Sequence, residues 1–180
     1  MKFDCKVPVT ASKEAVWSVI SDIDHAVDTI QAITKVEVLE RPTSKDSLVG
    51  LKWKETRVMF GSEATETMWV TESVANEYYQ TRAESCGAIY TSRMYIEPAA
   101  EGEDHECFVG MSFEGECQSF CSKVMMIAMG WMMVGATKKA VMQDLQDIKA
   151  AAEKGNGKST EGHNNSKPDA TETSEQDKQD

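Results

Sequence analysis

Residues 124–137 read V-M-M-I-A-M-G-W-M-M-V-G-A-T and carry no charge. The stretch then turns amphipathic. Val134, Val141, Leu145 and Ile148 recur at helical spacing, with Lys138, Lys139, Gln143, Asp144 and Asp147 between them. A helix apolar on every side needs a partner on every side. The chain before it alternates as strands do, so a curved antiparallel sheet wrapped around the helix supplies that partner. Such an arrangement also leaves an apolar cavity between sheet and helix.

Working outward, residues 2–9 put Phe3, Cys5, Val7 and Val9 on one face of a first strand. Ser12 suits an N-cap and Glu14 the first helical turn, where the helix dipole favours a carboxylate. The helix so started carries Val16, Trp17, Ile20 and Ile23. A second short helical segment holds Val27, Ile30 and Ile33, and residues 35–41 form a strand closed by Pro42.

Two hairpins can be registered from the sequence. Gly61-Ser62 suits a two-residue type II′ turn, which sets Met59 opposite Ala64, Arg57 opposite Glu66, Glu55 opposite Met68 and Trp53 opposite Val70. The face carrying Leu51, Trp53, Met59, Ala64, Met68 and Val70 is the more apolar and is the inner one. A turn at Cys86-Gly87 sets Ala83 opposite Tyr90, Thr81 opposite Ser92 and Tyr79 opposite Met94 on the same side. Residues 107–113 then turn Cys107, Val109, Met111 and Phe113 inward and Gly110, Ser112 and Glu114 outward. Strands 51–60, 63–72, 78–85, 88–97 and 107–114 thus line the cavity. The order is strand, two helices, six strands, long helix: an α+β fold of seven strands.

The 180 residues fit one domain. Residues 155–180 hold Ala170 as their only apolar side chain, so the domain is expected at 1–154 and the rest as a disordered polar tail. The chain's net charge is −11, and the tail's six acids and three lysines leave −8 on the domain. That excludes a nucleic-acid partner, which needs a basic face, and disfavours an anionic membrane surface. The uncharged stretch is too short to span a bilayer, which takes about 20 residues. No leader-like apolar run opens the chain, and five scattered cysteines (Cys5, Cys86, Cys107, Cys117, Cys121) fit a reducing compartment, so the expected location is cytoplasmic.

The chain resembles the SRPBCC superfamily, which includes START domains, plant pathogenesis-related ten proteins and polyketide cyclases. The resemblance rests on V-T-A-S-K-E-A-V-W-S-V-I-S-D-I-D (9–24), I-T-K-V-E-V-L-E (33–40), V-G-L-K-W-K-E-T-R (49–57), W-V-T-E (69–72) and D-L-Q-D-I-K (144–149). It looks closest to the bacterial polyketide cyclase/dehydrase and lipid-transport group and covers roughly residues 3–153. It implies a helix-grip fold: seven antiparallel strands around the C-terminal helix, with two small helices closing one end. The methionine-rich helix departs from the usual pattern, as does His25 after the acidic D-I-D.

Glu55, Arg57 and Glu66 are the sharpest candidate site. They act either as a polar anchor for a ligand or, in proton transfer, as a base with Arg57 opposite an enolate. An ion pair at the sheet's solvated rim is the structural alternative. Tyr79, Thr81, Tyr90 and Ser92 form a second inward polar group, equally readable as core. Trp53, Met68, Tyr79, Tyr90, Met94, Met111, Phe113, Met129 and Met133 are the expected apolar walls. Five methionines, Met125, Met126, Met129, Met132 and Met133, suit a pocket that adapts to varied ligands, a plain core helix, or a self-association face.

Catalytic and metal templates fail elsewhere. His25, His105 and His163 have no nucleophile beside them, and Ser112 sits mid-strand facing outward. Asp22, Asp24 and Asp28 lack the glycine and terminal glutamate of a calcium loop, so no metal and no cofactor are expected. The function expected is binding or transport of a small hydrophobic or amphipathic ligand: a lipid, quinone or polyketide-like molecule. A cyclase or dehydratase working by proton transfer is the first alternative. A protein-interaction module with a closed core, such as a homodimer through the methionine face, is the second.

Overall fold

The structure is a computed structural model that describes residues 1–44, 47–59, 61–85, 88–117 and 120–160, with side chains described throughout these except at 85, 117, 120–133 and 156–160. The elements run β1 (Lys2–Val9), α1 (Lys13–Ile20), a 3-10 turn (Ile23–His25), α2 (Ala26–Thr29), β2 (Ile33–Glu40), β3 (Lys52–Met59), β4 (Ser62–Val74), β5 (Tyr78–Ser85), β6 (Ala88–Pro98), β7 (Cys107–Cys117) and α3 (Phe120–Thr160). All seven strands join one antiparallel sheet in the order β1-β7-β6-β5-β4-β3-β2. This is the helix-grip fold.

Local chemistry sets the elements. The Ser12 hydroxyl accepts from the Ala15 amide at 3.2 Å, capping α1 as its sequence predicts. β1 forms one edge of the sheet and pairs along its whole length with β7, Cys5 against Met111 and Val9 against Cys107. The β5–β6 hairpin has the register read from the sequence, with Tyr79 on Met94, Thr81 on Ser92 and Ala83 on Tyr90.

The β3–β4 hairpin differs. Met59 pairs with Ser62, so Glu55 lies opposite Glu66, Arg57 opposite Ala64 and Trp53 opposite Met68. Gly61, at φ 79°, takes the second place of the two-residue loop rather than the first. Moving the turn by one residue slides each partner by two, so every side chain keeps its face. Other bounds shift too. Ile33 opens β2, two positions early, instead of ending a helix. α3 continues to Thr160, past the expected boundary at 154. Residues 161–180 lie outside the described residues.

The solid part of the core sits where α3 crosses β1, β7 and α1. Leu145, Ile148 and Ala152 from α3 meet Val7 and Val9 of β1, Val16 of α1, and Val109 and Cys107 of β7, all essentially without solvent contact. Cys5 and Cys107 are free thiols packed as small apolar residues. On the outer face, Gly110 has no room for a side chain because the Tyr95 ring lies against it, held there by a 2.8 Å hydrogen bond from its hydroxyl to Asp4.

Leu145→Ala should cost about 2–5 kcal/mol of unfolding free energy in urea, because the close-packed site cannot collapse around the void. Val58→Ala, on an exposed outer position, should stay within about 0.5 kcal/mol of the parent.

Candidate functional site

On the other side of α3 the packing opens into a cavity of about 740 Å³. That lies within the range of about 300–1,000 Å³ typical of small-molecule sites. Its walls are the inner residues of β3 to β7, the segment from Val19 to Ile33, and the α3 residues Thr137, Val141, Asp144 and Ile148. The closed-core reading does not survive this space.

Of the residues expected to line a pocket, Trp53, Glu55, Arg57, Glu66, Met68, Tyr79, Thr81, Tyr90, Ser92, Met94, Met111 and Phe113 all do so. Met129 and Met133 lie outside the described side chains, as do Met125, Met126 and Met132. Sequence reasoning missed Ile20, Ile23, Ala26 and Ile30, which close one end of the cavity. It also missed Asp144, set down as part of the helix's polar face. The signal was present: Thr137, Val141, Asp144 and Ile148 are spaced four, three and four, which is one helical stripe. Asp144 is 2% exposed and Asp147 8%.

Burial of these acids has named partners. Arg57 donates from Nε to Glu55 Oε1 at 2.8 Å and from Nη1 to Asp144 Oδ2 at 2.9 Å. Glu55 Oε2 also accepts from Trp53 Nε1 at 3.4 Å. The guanidinium therefore ties β3 to α3 across the cavity, and the side chains of Arg57, Glu55 and Asp144 are 21%, 10% and 3% exposed. These are not rim charges in water. Asp147 accepts from the Gln31 amide at 3.0 Å and from Gln143 Nε2 at 3.0 Å, holding the turn before β2 onto α3.

The electrostatics follow from this crowding of carboxylates. Burial pushes Glu66 above the usual carboxylate range; Arg57 opposes that, and Glu55 across the strand pair adds to it. Asp144 is raised too, first by burial and then by Glu55 and Asp147, against the pull of Arg57. Burial works against the Arg57 charge, yet Glu55 and Asp144 more than offset it and hold the guanidinium protonated. Asp144 Oδ1 accepts no hydrogen bond among the described residues.

Thr81 Oγ1 and Ser92 Oγ lie 2.7 Å apart. Burial raises the Tyr79 hydroxyl well above its ordinary value, and the ring meets Trp17 edge-on. Tyr90 packs on Phe113, which stacks on Phe3. Neither described histidine lines the cavity. His25 pairs with Asp22, and Asp24 takes both Nη atoms of Arg41.

Residues 1–153 match the family model for polyketide cyclase/dehydrase and lipid transport. The chain belongs to this family. Solved structures share its fold at low identity. The di-domain aromatase/cyclase StfQ of the steffimycin biosynthetic pathway aligns with a TM-score of 0.71 at 12% identity, over 87% of this chain and 52% of that one. The Zhui aromatase/cyclase from a Streptomyces species gives 0.65 at 15%, over 86% and 94%. A START superfamily protein from Mycobacterium smegmatis gives 0.57 at 16%, over 87% and 97%. Compared by sequence with curated proteins, the chain matches none. No described helix is long and apolar enough to cross a membrane.

Arg57→Leu strands two buried carboxylates and should cost about 3–5 kcal/mol at pH 7, measured by urea unfolding. Glu66 holds its proton more tightly folded than unfolded. It therefore costs stability as pH rises from the ordinary carboxylate range through its folded value. Glu66→Gln should melt above the parent at pH 7, the two converging below about pH 4.

Proposed function

We propose that this protein binds a small hydrophobic or amphipathic molecule in the cavity between sheet and α3 and acts as a carrier or receptor for it. The supporting observation is the cavity itself: large, walled mainly by aliphatic, aromatic and methionine side chains, and furnished with one concentrated polar group. The state of Arg57 favours binding over catalysis. With Glu55 and Asp144 both on it, the guanidinium has little field left to stabilise an enolate. Membership of a family that spans cyclases and lipid carriers is compatible with either role.

The proton-transfer reading keeps one observation in its favour. Glu66 faces the cavity with its carboxyl raised above its ordinary value by burial and its side chain without a hydrogen-bond partner among the described residues. Catalysis and carriage part at Glu66→Gln. A carrier keeps its ligand, whereas a cyclase keeps the ligand and loses product formation from a poly-β-keto substrate.

Native mass spectrometry of freshly purified protein, followed by solvent extraction, should reveal a lipophilic adduct. The neutral dye Nile red should bind with one site per chain. Met111→Trp, which fills the cavity from β7, should weaken that binding about tenfold or more, with melting behaviour as the check on folding. Nile red affinity unchanged by Met111→Trp in a folded variant would remove the cavity as the site.

A further inference from the structure

We propose that the cavity selects amphiphiles whose head group donates hydrogen bonds, an amine or a hydroxyl, and turns away those headed by a carboxylate. The proposal rests on the binding function above and names the class of molecule bound.

The charges around the cavity are lopsided. Glu55, Glu66 and Asp144 stand on its wall, while Arg57 is the one lysine or arginine side chain among the described lining residues. Met1 also lines the cavity, and its amino group donates to the Gly115 carbonyl at 2.8 Å. A lone arginine in an apolar pocket ordinarily reads as the receptor for a ligand carboxylate. Here that capacity is taken. Glu55 and Asp144 engage Arg57 through Nε and Nη1, so their two negative charges already exceed the guanidinium's single positive one. Glu66 sits directly across the strand pair from Glu55 and has no hydrogen-bond partner among the described residues.

A fatty-acid head entering this space adds another negative charge to a poorly screened site where burial, helped by Glu55, already raises both Glu66 and Asp144 against the pull of Arg57. Asp144 supplies the complementary observation. Its side chain is 3% exposed and belongs to the cavity wall, Oδ2 is engaged by Arg57, and Oδ1 is a buried acceptor with no donor among the described residues. Buried acceptors are met in folded proteins. A donor head group meets this one and lies beside Glu66; a carboxylate cannot. Thr81 donates to the Ser92 carbonyl at 3.4 Å and shares a second hydrogen bond with the Ser92 hydroxyl, so the two offer a carboxylate little compensation.

Three ten-carbon probes separate the possibilities: decylamine, decanol and decanoate, each below its micelle concentration, displacing Nile red from the whole chain at pH 7. Decylamine and decanol should displace at concentrations about tenfold or more below that of decanoate. The order should persist in about 0.5 M salt, which screens the acidic outer surface but not a buried cluster. Glu66→Gln should narrow the gap by improving decanoate. Decanoate competing as well as decylamine, or a gap that vanishes in salt, overturns the proposal while leaving ligand binding intact. Failure of all three to displace the dye overturns both. If Glu66→Gln does not fold, the parent's ranking of the three probes decides alone.

Discussion

The Arg57–Asp144 ion pair is the contact on which the interior's shape depends. Among the described residues, α3 packs closely along one flank, where Leu145 and Ile148 meet β1, β7 and α1. On the flank facing the cavity, the Arg57 guanidinium reaches from β3 to it. Filling that flank with aliphatic side chains would give a denser and more stable core. The chain instead maintains a buried charge cluster beside an empty volume. That choice is expensive in desolvation and makes sense where the interior must receive something.

Much of this was legible in the sequence, and for one reason. A strand's side chains alternate strictly, so any hairpin register wrong by an even number of residues still sorts its residues correctly. The slip at Gly61 therefore misassigned the partner of Arg57 and yet left Trp53, Glu55, Arg57, Glu66 and Met68 facing inward. Helices offer no such protection. Asp144 and Asp147 looked like solvated residues between apolar ones because carboxylates seldom enter a core unaccompanied. What accompanies them, Arg57 in one case and the Gln31 backbone amide in the other, comes from chain segments far away, with Gln143 the one local partner. Long-range partners of that kind leave no local pattern to read.

The family and the shared fold define a container rather than a content. StfQ, Zhui and the mycobacterial START protein all superpose over most of this chain at identities of 12–16%. At that distance the scaffold is common and the lining is each protein's own. What individualises this lining is the arithmetic of its charges. A guanidinium divided between Glu55 and Asp144, with Glu66 across the strand pair from Glu55, is a different environment from an arginine left free to greet a guest.

The attachment of Asp147 to the Gln31 amide gives the molecule a mechanical property. One turn of α3 grips β3 through Asp144, and the next holds the linker leading into the edge strand β2. Both anchor points ride on the same rigid rod. A guest bulky enough to lever that rod outward strains the two tethers together. Capacity is thus capped by how far a pair of polar clasps will stretch before either lets go.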